Sequence, residues 1–177
     1  MSNKLKGLRV YTAGSIDAAP DNGVGWRERL TPVLQEKFGL VVINPLNSPI
    51  KEHKENKLSD IAYRHQLAKE ERYDEIAEIV WDIRHNDLRL TDISDFCVAF
   101  IDTDIVMCGT IEEVTRMNMS KKPILLVVKQ GKSKCPLWFF GMIPHTHVFS
   151  NFDELTAYLS DVDSGKVIDN RWVFHNL

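Results

Sequence analysis

The chain has 177 residues, 44% of them hydrophobic and 27% charged, with a net charge of −3 at pH 7. That length suits a single domain over 1–177 with one good core, and the slightly acidic balance gives no electrostatic case for binding a nucleic-acid backbone or an anionic membrane surface. No apolar run approaches the roughly 18 residues that a membrane span needs, and Cys97, Cys108 and Cys135 match no zinc spacing and follow no secretory signal, so reduced thiols in a cytoplasm are expected.

Residues 8–13, LRVYTA, read as a short buried strand that runs into Gly14 and Ser15. A turn-rich loop follows, and then Trp26, Leu30, Val33, Leu34 and Phe38 recur at helical spacing until Gly39 ends the helix. Residues 40–43, LVVI, make a second strand stopped by Asn44 and Pro45. Residues 46–56 carry Pro49 and several lysines and are expected to be loop, while 57–81 are highly charged with a partial apolar face, which fits one long helix or two consecutive ones. Together they form a charged, mainly helical insert over about 46–80.

Residues 96–101, FCVAFI, are the clearest strand, because a continuous apolar run implies cover on both sheet faces. A helix over 109–120 and a buried strand over 123–128 follow, then a short strand over 145–149 and a helix over 151–160 capped by Ser150 or Asn151. Strands alternating with helices predict an α/β fold, a flavodoxin-like or Rossmann-like three-layer sandwich on a parallel sheet of about five strands. Ligands of such sheets bind outside the carboxyl ends of the strands, where strand order reverses. Three segments qualify: 11–17, 44–48 and 102–113.

Acids cluster in the third of these segments. Glu113 lies near the start of its helix, where the dipole favours negative charge, and an ionised, partly desolvated carboxylate can attack an electrophilic carbon. Glu112 points about 100° away around the same helix, so one of the two can face the sheet's edge while the other meets solvent. Asp87 sits in or just after a helix end, Asp102 closes the strand, and Asp104 follows in the loop. A nucleophilic carboxylate with a separate protonatable carboxyl is the minimum set for cleaving a glycosidic bond. Each of these acids would also suit a plain capping role worth about 1 kcal/mol. His145 and His147 would share a strand face, and no carboxylate is spaced to complete a metal site with them. The loop at 11–17 is too poor in glycine for a dinucleotide fingerprint, and no Walker loop is present, so no metal and no cofactor are expected.

YTAGSI at 11–16, then NDL, SDFCVAFID and GT-x-x-E without gaps from Asn86 to Glu113, then KKPILLVV, resemble the nucleoside 2-deoxyribosyltransferase superfamily, which includes the deoxynucleotide N-glycosidases. The resemblance implies Glu113 as the nucleophile at the anomeric carbon with Glu112 as its solvated neighbour, Asp87 as the acid that protonates the departing base and Tyr11 as the group orienting the nucleophile. It implies a supporting role for Asp102 and substrate contacts from Gly14, Ser15 and Gly109. One departure concerns the position six before the nucleophile, where transferases often carry aspartate and nucleotide-cleaving relatives serine. This chain has Met107, whose thioether is a weak acceptor, so the contact to the substrate's 5′ group is either missing or supplied by Asp104 or Cys108 after a local shift. In the family a neighbouring subunit commonly completes the pocket. Trp138, with Phe139, Phe140 and Met142, would stack on a base or pack such an interface, and the C-terminal stretch would approach the site.

The implied activity is transfer of a 2′-deoxyribosyl group between nucleobases through a covalent glycosyl-Glu113 ester, in a homo-oligomer with shared active sites. Its small-molecule partners would be a nucleoside or nucleotide and a free nucleobase. The alternatives are hydrolysis of deoxynucleosides or their 5′-monophosphates, and a non-catalytic nucleotide-binding module on the same scaffold.

Overall fold

The computed structural model describes residues 3–47, 57–167 and 169–172. Five parallel strands run in the order β2-β1-β3-β4-β5. They are β1 (Arg9–Gly14), β2 (Val41–Ile43), β3 (Phe96–Ile101), β4 (Ile124–Val128) and β5 (Val148–Phe149). Strand order reverses between β1 and β3, which is where a doubly wound sheet opens a crevice at its carboxyl edge.

Alternation along the strands sorts the core into two halves. Tyr11, Ala13, Cys97, Ala99, Ile101, Ile124, Leu126 and Val128 face α3 (Tyr73–Ile93) and α4 (Cys108–Met119), packing on Leu90, Val114 and Met117. Val10, Phe96, Val98, Leu125 and Val127 face α1 (Val24–Pro32) and α5 (Phe152–Asp163), packing on Trp26, Leu30, Leu155 and Leu159. Successive side chains of a strand point to opposite faces, so these two lists are the three-layer sandwich.

Local chemistry sets the ends of the helices. Pro32 lacks the N–H that an α-helix needs, and α1 passes there into a wider π-type turn over Val33–Lys37. Gly39, at φ +65°, lets the chain reverse, and the Leu40 amide returns to the Leu34 carbonyl at 3.1 Å. Asn151 is the cap of α5. Its Oδ1 accepts from the Glu154 amide at 2.9 Å, and the Glu154 carboxylate reaches back to the Ser150 amide at 2.8 Å.

One open alternative is decided and two expectations change. The charged stretch forms two helices, α2 (Lys57–Lys69) and α3, broken where Glu71 takes φ +58°. Helix α3 continues to Ile93, so Asp87 lies within it, about two turns before its end. Residues 145–147 form a 3-10 turn after Pro144, and only Val148 and Phe149 pair with β4. His145 and His147 therefore share no strand face; His147 is buried and His145 exposed. Residues 48–56, with Pro49, most of the expected loop and His53, lie outside the described residues, as do 173–177. Among the described residues no helix is long and apolar enough to cross a membrane.

Candidate active site

A cavity of about 490 Å³ opens at the carboxyl ends of β1 and β3, a size within the roughly 300–1,000 Å³ of small-molecule clefts. One wall is the loop at 14–18 after β1. The second is the face of α3 carrying Val80, Ile83, Arg84, Asp87 and Leu88. The third is the start of α4, from Val106 through Thr110 and on to Glu112 and Glu113. A second concavity of about 640 Å³ lies at the opposite edge of the sheet, around Arg9, Asp92, Asp95 and Lys122. Its acids are already matched, Asp95 by Arg9 and Asp92 by Arg116.

Two acids of the first cavity occupy positions where a packed helix normally places apolar groups. On α4 the buried stripe is Thr110, Glu113, Val114 and Met117, the 0, 3, 4, 7 spacing of a core-facing helix, and Glu113 is only 9% exposed. On α3 the buried end carries Asn86, Asp87, Leu88, Leu90 and Thr91, and Asp87 is likewise 9% exposed. Removing a carboxylate from water costs free energy unless it is bonded. Tyr11, fully buried behind the cavity wall, donates its phenol hydrogen to Glu113 Oε1 at 2.6 Å. Burial, then the fields of Glu113 and Asp87, hold the Tyr11 phenol well above its ordinary pKa. It therefore stays a protonated donor, and the three groups form one electrostatic cluster. Glu113 is the sixth residue of α4, beyond the first turn in which a helix dipole acts most strongly, so the phenol does more for this carboxylate than the helix end expected from sequence.

The sequence-predicted residues divide into two sets. Asp87, Glu113, Gly14, Ser15, Met107 and Gly109 all line the cavity, with Tyr11 directly behind it. Gly14 is required by close approach, since a Cβ there would stand 2.9 Å from the Trp26 ring. Ser15 Oγ donates to the Val106 carbonyl at 3.4 Å, tying the loop after β1 to the loop before α4. Met107 is buried, and its sulfur accepts the Asp102 amide at 3.3 Å.

The second set lies elsewhere. Asp102 accepts from Lys129 Nζ at 2.7 Å, Gln130 Nε2 at 2.6 Å and the Asp104 amide at 3.1 Å. Burial alone would raise the Asp102 carboxyl, but those bonds outweigh it and hold the group below its ordinary value. Asp104 accepts from the same Gln130 at 2.8 Å. Neither aspartate reaches the cavity wall. Trp138 stands 84% exposed in a 3-10 turn, also away from the cavity, while Phe139 packs into the core. Glu112, expected as a solvated neighbour, is instead held in a two-pronged pair by Arg84, whose Nε donates to it at 2.8 Å across the α3–α4 contact.

Several contributors escaped the sequence reading. Val80, Ile83 and Leu88 supply the apolar wall, and their helical spacing was visible but not their target. Cys108 did not escape it: offered there for the substrate's 5′ group, it is exposed at the first turn of α4 and opens onto the cavity, while Cys97 and Cys135 are buried; all three thiols are free. Arg27, on α1 and 1% exposed, lies under the loop after β1. Among the described residues no group of three or more His, Cys, Asp or Glu is placed to hold a metal ion.

No protein-family model matches the sequence, and a search of curated proteins finds no match to it. Among solved structures, the 2-deoxyribosyltransferase of the psychrotolerant bacterium Bacillus psychrosaccharolyticus is similar, with a TM-score of 0.57 at 15% identity over 84% of this chain and 90% of that one. The chain shares the 2-deoxyribosyltransferase fold. The Clostridium botulinum CMP N-glycosidase BcmB aligns over 86% of this chain and 97% of its own, at 18% identity and a TM-score of 0.46. At such identities the likeness speaks for the fold, and the chemistry must be argued from the side chains.

Proposed function

We propose that this chain breaks the N-glycosidic bond of a 2′-deoxyribonucleoside and passes the deoxyribosyl group to another nucleobase. A Glu113 carboxylate oxygen attacks C1′ while Asp87 gives its proton to the departing base. The C1′–N bond breaks as a C1′–O ester forms. The incoming base then attacks C1′ through a ring nitrogen, the ester opens, Glu113 returns as carboxylate and Asp87 recovers a proton from the new base. Two inverting displacements give net retention at C1′. Tyr11 orients the nucleophile through its hydrogen bond, and the apolar face of α3 gives a nucleobase a surface to lie on.

The observation that carries this reading is the 2.6 Å bond from a buried phenol to Glu113, on the wall of a cavity that also exposes Asp87. The reading includes a homo-oligomer in which a neighbouring subunit completes the cavity; the exposed, apolar Leu137 and Trp138 support that part. Full activity in a protein that light scattering shows to be strictly monomeric would remove it.

The test is incubation of purified protein with deoxyadenosine and cytosine, and separately with dAMP, followed by chromatography. New deoxycytidine is the expected product. Free adenine without exchange would replace transfer by hydrolysis. Thermal stabilisation by nucleosides without any turnover would leave a binding module.

A further inference from the structure

Arg27 is an anomaly in the core. It is 1% exposed, yet its hydrogen bonds all end on backbone carbonyls. Nε and Nη2 donate to Thr12 O at 3.3 and 3.1 Å, Nη2 also to Gly14 O at 3.0 Å, and Nη1 to Gly23 O at 2.7 Å. A guanidinium taken out of water normally takes a carboxylate partner, because burying an uncompensated charge is costly. Arg27 rises from α1 on one face of the sheet and ends under the carboxyl end of β1, while the acids lie on the other face.

We propose that Arg27 is a positioning residue for the reaction, one that clamps the turn after β1 into a cavity wall. This rests on the reading that Glu113 and Asp87 are the reacting acids.

The clamp follows from geometry. Thr12 and Gly14 flank the outward end of β1, and Gly23 starts α1. One planar fork with fixed donor directions spans all three, which an ammonium cannot do. Gly23 takes φ +69°, and a Cβ there would stand 2.4 Å from the Ser15 carbonyl and 2.5 Å from Arg27 Nη1, so turn and guanidinium fit one another closely. The segment held between these points is 14–18, the cavity wall, and Tyr11 precedes it on the same strand.

The guanidinium's charge is felt in the site as well. Burial lowers Arg27 to about 10, and the opposing fields come from Tyr11, Glu113, Asp87 and Asp21. The Cys97 thiol, on the neighbouring strand, also feels Arg27, together with Glu113. Tyr11 stays protonated, and Asp21 is turned to the Gly23 and Gly25 amides at 2.9 Å each.

The test uses Arg27→Lys and Arg27→Met, with KM, kcat and pH profile as readouts. Arg27→Lys keeps the charge but loses the fork, so KM rises by roughly tenfold while the acid limb of kcat stays in place. Arg27→Met raises KM as much and also moves that limb to higher pH, because acids without a nearby cation ionise later. Unchanged KM and unchanged pH limb in both variants, with only a fall in Tm, would reduce Arg27 to a structural residue and overturn the proposal. A second measurement stands if Arg27→Met does not fold. Amide hydrogen exchange of Arg27→Lys then decides: the clamp predicts faster exchange at residues 14–18, and unchanged exchange there would overturn it. That readout requires no turnover, so it remains decisive even if deoxyribosyl transfer proves wrong.

Discussion

Two acid clusters stand at the carboxyl edge of the same sheet, and they are bonded in opposite ways. Asp102, at the end of β3, is saturated by an ammonium, a side-chain amide and a backbone amide. Glu113, one helical stretch further on, takes its hydrogen bond from a neutral phenol. A carboxylate matched by lysine has its charge spent on holding two strands together. A phenol's hydrogen bond orients a carboxylate without bringing an opposite charge to it. Position near a strand end alone does not separate the two acids; the donors seen at each do.

The comparison breaks most sharply at Glu113. Glu113→Gln keeps the size and the phenol's acceptor, yet should cut turnover about 10⁴-fold or more, as loss of a nucleophile does elsewhere. Intact-mass spectrometry of the wild type with a slow substrate should show a deoxyribosyl adduct that the variant lacks. A variant keeping a tenth of wild-type activity would sink the assignment. Asp87→Asn comes next. Loss of general acid catalysis costs roughly 10²–10⁴-fold, and the loss should be greatest for bases that leave poorly without a proton. An equal loss for every base would assign Asp87 to binding.

Tyr11→Phe sharpens the contrast from the partner's side. Deleting the phenol oxygen frees the carboxylate to rotate, and misplacement of a reacting group by about 1 Å can cost ~10²-fold. The loss should fall on kcat, since the phenol lies behind the cavity wall. Above pH 10 the wild type should also lose stability. The folded phenol binds its proton more tightly than the unfolded one, so the unfolded chain ionises first as pH rises. Tyr11→Phe should lack that component of alkaline destabilisation, which thermal melts between pH 8 and about 11 would show.

Much of this arrangement is legible without coordinates. Continuous apolar runs at 96–101 and 123–128, each followed or preceded by helical spacing, suffice for a parallel three-layer sheet, and the switch point follows from it. Helical phase alone says that one of Glu112 and Glu113 must face the sheet; the resemblance chooses Glu113. What the chain hides is long-range pairing. Asp102 resembles a site residue until β3–β4 register sets Ile101 beside Val128 and thereby brings Lys129 and Gln130 to it. Arg84 and Glu112 are 28 residues apart and meet only because α3 packs on α4. Arg27, in a helix start with charged residues at 28 and 29, reads as solvated. Its burial comes from a strand end that α1 crosses, and no local pattern records that. His147 lost its expected strand because Pro144 opens a 3-10 turn.

The smallest effect belongs to Asp102→Asn. Asparagine keeps its one oxygen for the Gln130 and Asp104 donors and loses both the charge and the acceptor opposite Lys129. That lysine is half exposed, so solvent screens the pair and the lost stability should be about 1 kcal/mol or less. Turnover should change less than about threefold, because an effect transmitted from outside the cavity must pass through Met107 rather than touch substrate. The sign with pH is fixed. The folded carboxyl ionises below its unfolded value, so its contribution is present above about pH 4 and disappears as pH falls through the folded value. Melting curves of wild type and variant should therefore differ slightly at pH 7 and converge in acid. A gap that persists in acid, or a fall in kcat comparable to that of Asp87→Asn, would mean that Asp102 serves the reaction after all, and that saturation by lysine does not distinguish the two kinds of acid at this sheet edge.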